Sequence, residues 1–552
     1  MGVAQLAERL PVEEKAAGAE PVAHPRFMEL SKTVNQLICV FEEDKILTES
    51  GDGFTVSHTV SALATLYEKA RNAVEFRAEH LVRRAAIERI LKRRILLGEN
   101  AQQIAENLSI ELVWAKYIDS SLIDHEKGIA ITRIINRYLQ VKQQKFSGAS
   151  QTNGITWGMM LGLASSEIDE TIVSPKKRTA LIDFVYQAMR QKIRISSLSD
   201  TEVNIQIYIA VERAFAQADN ALISYHLLQV IDPSWFTETE ENVTNHIPVF
   251  VQNLISIHNQ MNNPKNAGVV RYIRKRLPPY RLLRDFFLET KESEIRRIIE
   301  NPSELETALS LLATKRYQEI GAKVRRGVVR SIIYIFLTKM VFALALEAPF
   351  DTFIEHRISY VPLVINLIFP PFLLYVLAGF ITVPGSRNTK RLISGVQNIL
   401  YRFDSLAEKN TSYVNTTIHR RPILVMFFTL LYLITFIISF GLVTFVLTKL
   451  HFNIASQLIF VFFMALVSIF AYRIRQSAKE YEVVEHQEFL EPLVDFFFLP
   501  ILQAGDILSK EIAKINFFIF LFDFVLEAPL KVIFGVVEEW IRFIRMKKEE
   551  IV

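Results

Sequence analysis

Ionisable side chains that could do chemistry are present in this sequence, but not in the arrangements chemistry needs. Asp124-His125-Glu126 is a local cluster, Glu482 and His486 stand one helical turn apart, and Glu79 and His80 are adjacent. On a helix, residues four apart share a face and neighbours do not. Glu482 and His486 could supply two ligands to a cation, yet a metal site needs further ligands converging from elsewhere. No Walker A loop, no strand-following G-x-G-x-x-G, no H-E-x-x-H and no G-x-S-x-G occurs. Cys39, the single cysteine, excludes an internal disulfide and a cysteine-based zinc cluster. No catalytic, metal-ligating or cofactor-binding residue is assigned, no cofactor is expected, and the reading leans away from an enzyme.

Three segments carry binding signals instead. Gln102–Ile118 has the spacing of a first helix and turn of a helix-turn-helix, with Ala105 at the small position and Ser109 at the turn. Its second half has one basic residue, Lys116, and Trp114 where a polar base-reader belongs, so DNA binding is disfavoured. GITWGMMLG puts Gly154, Gly158 and Gly162 on one helical face, a close-packing pattern on an apolar run too short to span a bilayer. RYIRKRLPPYRLLR carries Arg271, Arg274, Lys275, Arg276, Arg281 and Arg284. Together with Arg325 and Arg326, these basic residues read as contacts to anionic lipid headgroups, each juxtamembrane cation contributing ~1 kcal/mol. A net charge of only +4 argues against nucleic acid as a partner.

The elements that must position these residues fall into two halves. Of the 552 residues, 50% are hydrophobic and 22% charged, and the two properties separate along the chain. Residues 28–326 repeat apolar positions at three and four, which predicts helices over 128–145, 177–194, 200–231, 241–262 and 303–326. Asn301, Pro302 and Glu304 form a helix start, and the helix beginning there can run on into the first apolar segment. After residue 327, four segments are long and apolar enough to read as spans: 328–346, 361–383, 422–447 and 454–472. Arg330 and Lys339 make the first the weakest of them. Basic residues crowd before the first span, in 384–421 and after the last span, which orients both termini to the cytoplasm. Pro370-Pro371 suggests a broken helix in the second span. The piece 489–502 has the length of an interfacial or re-entrant segment, with a six-span chain as the rival arrangement.

In the tail, Asp523, Glu527, Lys531, Glu538, Arg542 and Arg545 fall on one narrow stripe of an otherwise Phe-, Ile- and Leu-rich helix. That pattern predicts a helix lying in the membrane interface, with Asp523, Glu527, Lys531, Arg542 and Arg545 as its wet stripe. At the other end, Gly2–Leu10, GVAQLAERL, resembles the peptide obtained when a bacterial tRNA gene is read as coding sequence. The resemblance implies a prokaryotic source and Met28 as the natural start.

The expected architecture is therefore all-α. Residues 1–27 are a disordered or spurious extension, 28–326 a cytoplasmic helical domain, 327–472 a polytopic four-span membrane domain, and 473–552 an amphipathic, interfacial tail. The expected function is a membrane-anchored scaffold or regulatory protein of the prokaryotic inner membrane. Its expected partners are the lipid bilayer, anionic headgroups, a cytoplasmic protein and a second copy of the chain. The alternative is a channel or transporter gated by the cytoplasmic domain.

Overall fold

The structure, a computed structural model, describes residues 30–42, 79–146, 151–152, 154–195, 198–238, 240–342, 345, 348–350, 360–379, 381–404, 412–413, 422–483, 491–514, 536, 540 and 543–544. These are overwhelmingly helical, as the apolar spacing predicts. They divide into two compact units.

The first unit comprises residues up to Arg274, with Tyr401–Thr417 and Phe517–Val552. Its helices are α1 (Lys32–Glu42), α2 (Glu79–Leu96), α3 (Ala101–Trp114), α4 (His125–Lys145), α5 (Trp157–Ile172), α6 (Lys176–Lys192), α7 (Asp200–Val211), α8 (Asn220–Ile231) and α9 (Glu240–Met261), with most of α10 (Asn266–Arg276). Polar caps start several of them. Asn100 and Ser199 close capping boxes with Gln103 and Glu202, and Asp124, Thr156 and Asp219 accept from backbone N–H groups in the first turn. α5 and α7 are buried on most faces and are the centre of the unit, with α2, α4 and α8 packed on α5. Between α7 and α8 the chain makes a π-helical turn, Glu212–Ala216, ended by Gln217 at φ 54°.

Two expectations are corrected here. Ser109 makes no turn: it lies inside α3, its Oγ donating to the Ala105 carbonyl at 2.8 Å, so no helix-turn-helix forms. The three glycines do not share a face. Gly154, at φ +84°, turns the small hairpin of β1 (Gln151–Thr152) and β2 (Ile155–Thr156), and Gly162 alone meets a neighbour closely, at Ala221 of α8. A finding the sequence did not suggest is that Tyr401–Asp404 and Ser412–Tyr413, from between two expected spans, belong to this first unit. Phe403 packs on Phe184 at 5.0 Å, and β4 (Ser412–Tyr413) pairs in parallel with β3 (Ile193–Arg194).

The second unit holds 275–400 and 418–516. It contains α11 (Pro278–Glu289), α12 (Pro302–Phe342), α13 (Tyr360–Gly379), α14 (Ser386–Tyr401, up to Leu400), α15 (Pro422–Lys449), α16 (Ile454–Ala478) and α17 (Glu491–Lys514). α12 runs unbroken for 41 residues, about 60 Å at 1.5 Å per residue, from a charged half into an apolar one. α12, α13 and α16 close around Ile335, Leu374, Ile459, Phe463 and Val467.

Three helices, not four, are long and apolar enough to cross a membrane among the described residues: 362–379, 423–449 and 454–478. The expected first span is the end of α12, described as far as Phe342, and the charges of Arg330 and Lys339 set it apart from the other three. α13 passes through Pro370-Pro371 as one helix, so the expected break is not there. The piece at 489–502 is likewise no short re-entrant segment. From Glu491 it belongs to a 24-residue helix, α17, that lies against α16 with Gly505 on the Ala465 backbone.

Candidate functional site

Each unit has a cluster of buried polar groups at the meeting of several helices. In the first, it is built on the central helix α5. Arg137 of α4 is buried, donates to the Trp235 carbonyl at 2.8 Å and to Glu167 of α5, and stacks its guanidinium 5.2 Å over the Trp235 ring. Tyr138 donates to the other oxygen of Glu167 at 3.2 Å. Burial pushes the Glu167 carboxyl up, and Arg137 opposes it. One turn along the same helix face, Glu170 meets His226 of α8, Nε2 to Oε1 at 2.8 Å, while Nδ1 of that ring meets Glu212 Oε1 at 2.7 Å. A ring with a carboxylate on each nitrogen must donate from both, so His226 is an imidazolium. Burial pulls its proton off, but Glu212 and Glu170 outweigh this and raise it to about 9.

Glu212 is fully buried, and the π-helical turn it begins is what aims it at His226. Tyr208 donates to the same Glu212 oxygen at 3.2 Å. Asp183 reaches the surface beside them, yet most of its surroundings are protein. That crowding, with the Glu212 charge, lifts its carboxyl to about 6, against the pull of His226. His226 is engaged at both nitrogens, so the set presents no free imidazole base.

The second unit concentrates its polar groups at the charged end of its helices. Asp285 of α11 is 3% exposed and accepts at four points: from Arg284 at 3.0 and 2.9 Å, from Arg316 of α12 at 2.8 Å, and from the Tyr481 hydroxyl. Arg316 and Lys315 also pair with Glu289. Asn388 of α14 donates to Tyr317 at 2.8 Å and to the Tyr481 carbonyl at 2.7 Å, and accepts from Val483 N at 2.8 Å. Burial, then Asp285, push the Tyr481 phenol up. α11, α12, α14 and the chain after α16 are thus tied together. Farther along α12, Lys339 is fully buried, with Nζ 4.8 Å from the Phe463 ring centre.

The residues singled out from sequence are placed as follows. Arg271, Arg274, Lys275 and Arg276 are exposed on α10, and Arg325 and Arg326 are exposed on α12. Arg281 differs: it turns inward, donates to the Glu480 carbonyl at 3.0 Å and pairs with the Glu480 carboxylate at 3.3 Å. Asp124 is a helix cap, and His125 and Glu126 are exposed beside it. His486, Asp523, Glu527, Lys531, Arg542 and Arg545 lie outside the described residues, and nothing is placed for the side chains of Glu79 and His80. Among the described residues no three His, Cys, Asp or Glu side chains are arranged to hold a metal.

Sequence reading missed Glu167, Glu170, Glu212, His226, Asp285 and Asn388. Apart from the local Tyr208–Glu212 and Arg284–Asp285 contacts, the pairs are 14 to 196 residues apart, so local spacing does not reveal them. The one legible signal was a carboxylate inside an apolar run, Glu167 in GLASSEIDETI. No protein-family model, no curated protein and no solved structure matches the chain.

Proposed function

We propose that the protein is a membrane-anchored regulatory scaffold of the prokaryotic inner membrane, with a helical cytoplasmic unit that binds a protein partner. The observation that carries this reading is α12. One continuous helix joins the Asp285–Arg316–Tyr481 cluster, in a charged setting, to the apolar packing around Ile335. Such a rod transmits displacement from its wet end to the spans without a hinge. The inclusion of Tyr401–Asp404 and Ser412–Tyr413 in the first unit supports the same side of the membrane for those residues and for the helical unit, as the loop charges require.

Two experiments test this. With Cys39 replaced, Leu450→Cys should react with an impermeant thiol reagent in intact cells and Lys390→Cys should react only after lysis. Labelling of Lys390→Cys without lysis removes the orientation. In-cell crosslinking from exposed positions of α3 and α4 should then give a discrete heteromeric adduct that disappears when two glycines and a proline are inserted after Gly321. An adduct that persists shows that the rod is not used.

A second reading, a channel or transporter, draws on buried Lys339, because an ionisable residue among apolar helices is costly to keep. Ion or solute flux in proteoliposomes that is lost in Lys339→Met would favour it over the scaffold.

A further inference from the structure

The basic residues of the second unit fall into two classes. Arg281, Arg284, Lys315 and Arg316 are each paired with Asp285, Glu289, Glu319 or Glu480. Two to three turns farther along α12, Lys323, Arg325, Arg326 and Arg330 are exposed and have no acidic partner among the described residues. They stand where α12 changes from charged to apolar, so four uncompensated cations are gathered at one level of the unit.

At that level α12 and α13 leave a groove of about 680 Å³, with α12 supplying Gly321, Arg325, Val329 and Ile332 and α13 supplying Tyr375 and Val376. The lining contains no acidic residue, and Arg325 is its one charged group. Gly321 and Gly379 line it without side chains, and there is room for more: a Cβ at Gly321 would make an ordinary contact with Val383 at 3.8 Å, and one at Gly379 would meet nothing within 4 Å. Further basic residues lie nearby in the chain, Arg326 and Arg330 on α12 and Arg387 and Lys390 on α14.

We propose that this groove is a binding site for an anionic phospholipid, with an acyl chain along Val329, Ile332 and Val376 and the phosphate on Arg325. Charge complementarity selects this occupant. An apolar channel takes the chain, and an unpaired guanidinium at its rim pairs with a phosphate in bidentate fashion. The depth also agrees, since Arg325 precedes the apolar half of α12 by one turn and a headgroup lies one turn outside the acyl region. The site goes beyond the exposed surface contacts read from the sequence, because it is built between two helices and has a wall that can be filled.

The inference rests on the membrane placement proposed above, and not on the scaffold role. The full chain, extracted in mild detergent, is incubated with phosphatidylglycerol, with phosphatidylcholine of the same chains, or with chainless glycerol phosphate, and retained ligand is read by native mass spectrometry. Phosphatidylglycerol should be retained several-fold over phosphatidylcholine, and glycerol phosphate should not be retained. Arg325→Gln should lower the preference about fivefold, the worth of one juxtamembrane cation. Arg326→Gln, outside the groove, should lower it less. Gly379→Phe should fill the groove and reduce retention of both lipids, and Val329→Trp does the same from the opposite wall if the first variant does not fold. Equal retention of the two lipids, retention of glycerol phosphate, or an unchanged preference in Arg325→Gln overturns the proposal. Failure of the membrane placement would look different: the protein would leave native membranes in alkaline carbonate without detergent.

Discussion

The two units solve opposite burial problems. Between residues 30 and 274, Leu96, Leu97, Ile129 and Val249 are the large apolar side chains left exposed among the described residues, while Arg84, Arg137, Glu167 and Glu212 are buried. In the second unit the pattern inverts. α15 alone exposes Ile423, Met426, Phe427, Phe428 and Ile437 among others, and the charged groups gather at one end of the helices. A surface of that kind is unfavourable in water at roughly 25 cal/mol per Å² of apolar area. A hydrocarbon surround removes that cost, and it would make ion pairs like those of the first unit difficult to keep among the spans. The inversion fits a chain in which three helices are long and apolar enough to cross a membrane.

The comparison is broken most severely by removing one partner of a buried pair. Arg137→Met leaves Glu167 buried without its counter-charge, with only Tyr138 to satisfy it. The expected loss is about 3–5 kcal/mol, read as a lower unfolding midpoint of the first unit by hydrogen exchange on α4 and α5 peptides. Adding Glu167→Leu should recover part of it, since an apolar pair of similar volume removes the buried charge altogether. Arg326→Gln, exposed on α12, should change the midpoint by less than about 0.5 kcal/mol.

Protonation sharpens the same contrast. His226 binds its proton more tightly when folded than when unfolded, so its contribution is complete below pH ~6.5 and is lost as pH rises to about 9. Asp183 acts in the same direction between its ordinary 3.8 and about 6. The first unit should therefore lose stability on the alkaline side, by an amount on the order of 3 kcal/mol across the His226 window. His226→Gln, which can donate to only one of Glu170 and Glu212, should be less stable at pH 6 and nearly flat from pH 6.5 to 9. A wild-type unfolding midpoint that does not fall over that range excludes the doubly paired imidazolium.

Which features were legible follows from their range in sequence. The helices of the first unit were readable because an apolar face recurs every three to four residues, and α12 was readable through Asn301-Pro302 and the lack of any break after it. The long apolar helices α15 and α16 were legible from composition alone. Three things were not. The turn expected at Ser109 is absent because its hydroxyl is satisfied within the helix, at the Ala105 carbonyl. The break expected at Pro370-Pro371 is absent although both prolines lack the N–H for a helical bond, and the structure offers no single compensating contact. The glycine triplet in GITWGMMLG was read as one face, whereas Gly154 is spent on a turn. The polar clusters join residues on different helices, and only tertiary structure brings those together.

Both units have close helix crossings, and one from each gives a direct comparison of moderate effects. A Cβ on Gly162 would lie 2.8 Å from Ala221 Cβ, side chain against side chain. One on Gly505 would lie 2.2 Å from the Ala465 backbone oxygen. Ala221 Cβ is fixed to its own helix, so either contact is relieved only as a helix moves, and the closer one at Gly505 requires the larger movement. Gly162→Ala should cost about 1–3 kcal/mol by thermal unfolding, the usual range for overpacking. Gly505→Ala should part α17 from α16, detectable as loss of a disulfide engineered between exposed flanking positions of the two helices.

The smallest expected effect lies at the wet end of α12. Asn301 has an extended backbone, φ −109° and ψ 102°, and its carbonyl accepts the first helical bond from Leu305 at 3.0 Å. Its side-chain oxygen accepts from Ser303 N at 3.3 Å, which is long, and its amide donates to Glu304 at 2.9 Å. Pro302 at the first helical position has no N–H to satisfy, so one of the usual unpaired donors is already removed. Asn301→Ala therefore forfeits a weak cap, about 0.5–1 kcal/mol, at the low end of the cap range. The loss should stay local. Leu305 and Leu309 are fully buried one and two turns in, and Ile295 and Ile299 on the short preceding helix are buried as well. Hydrogen exchange should accelerate over 302–305 and remain unchanged from Leu309 onward. Acceleration that runs past Gly321 would mean the rod is held by its cap rather than by packing along its length, and rigid coupling through α12 would be lost with it.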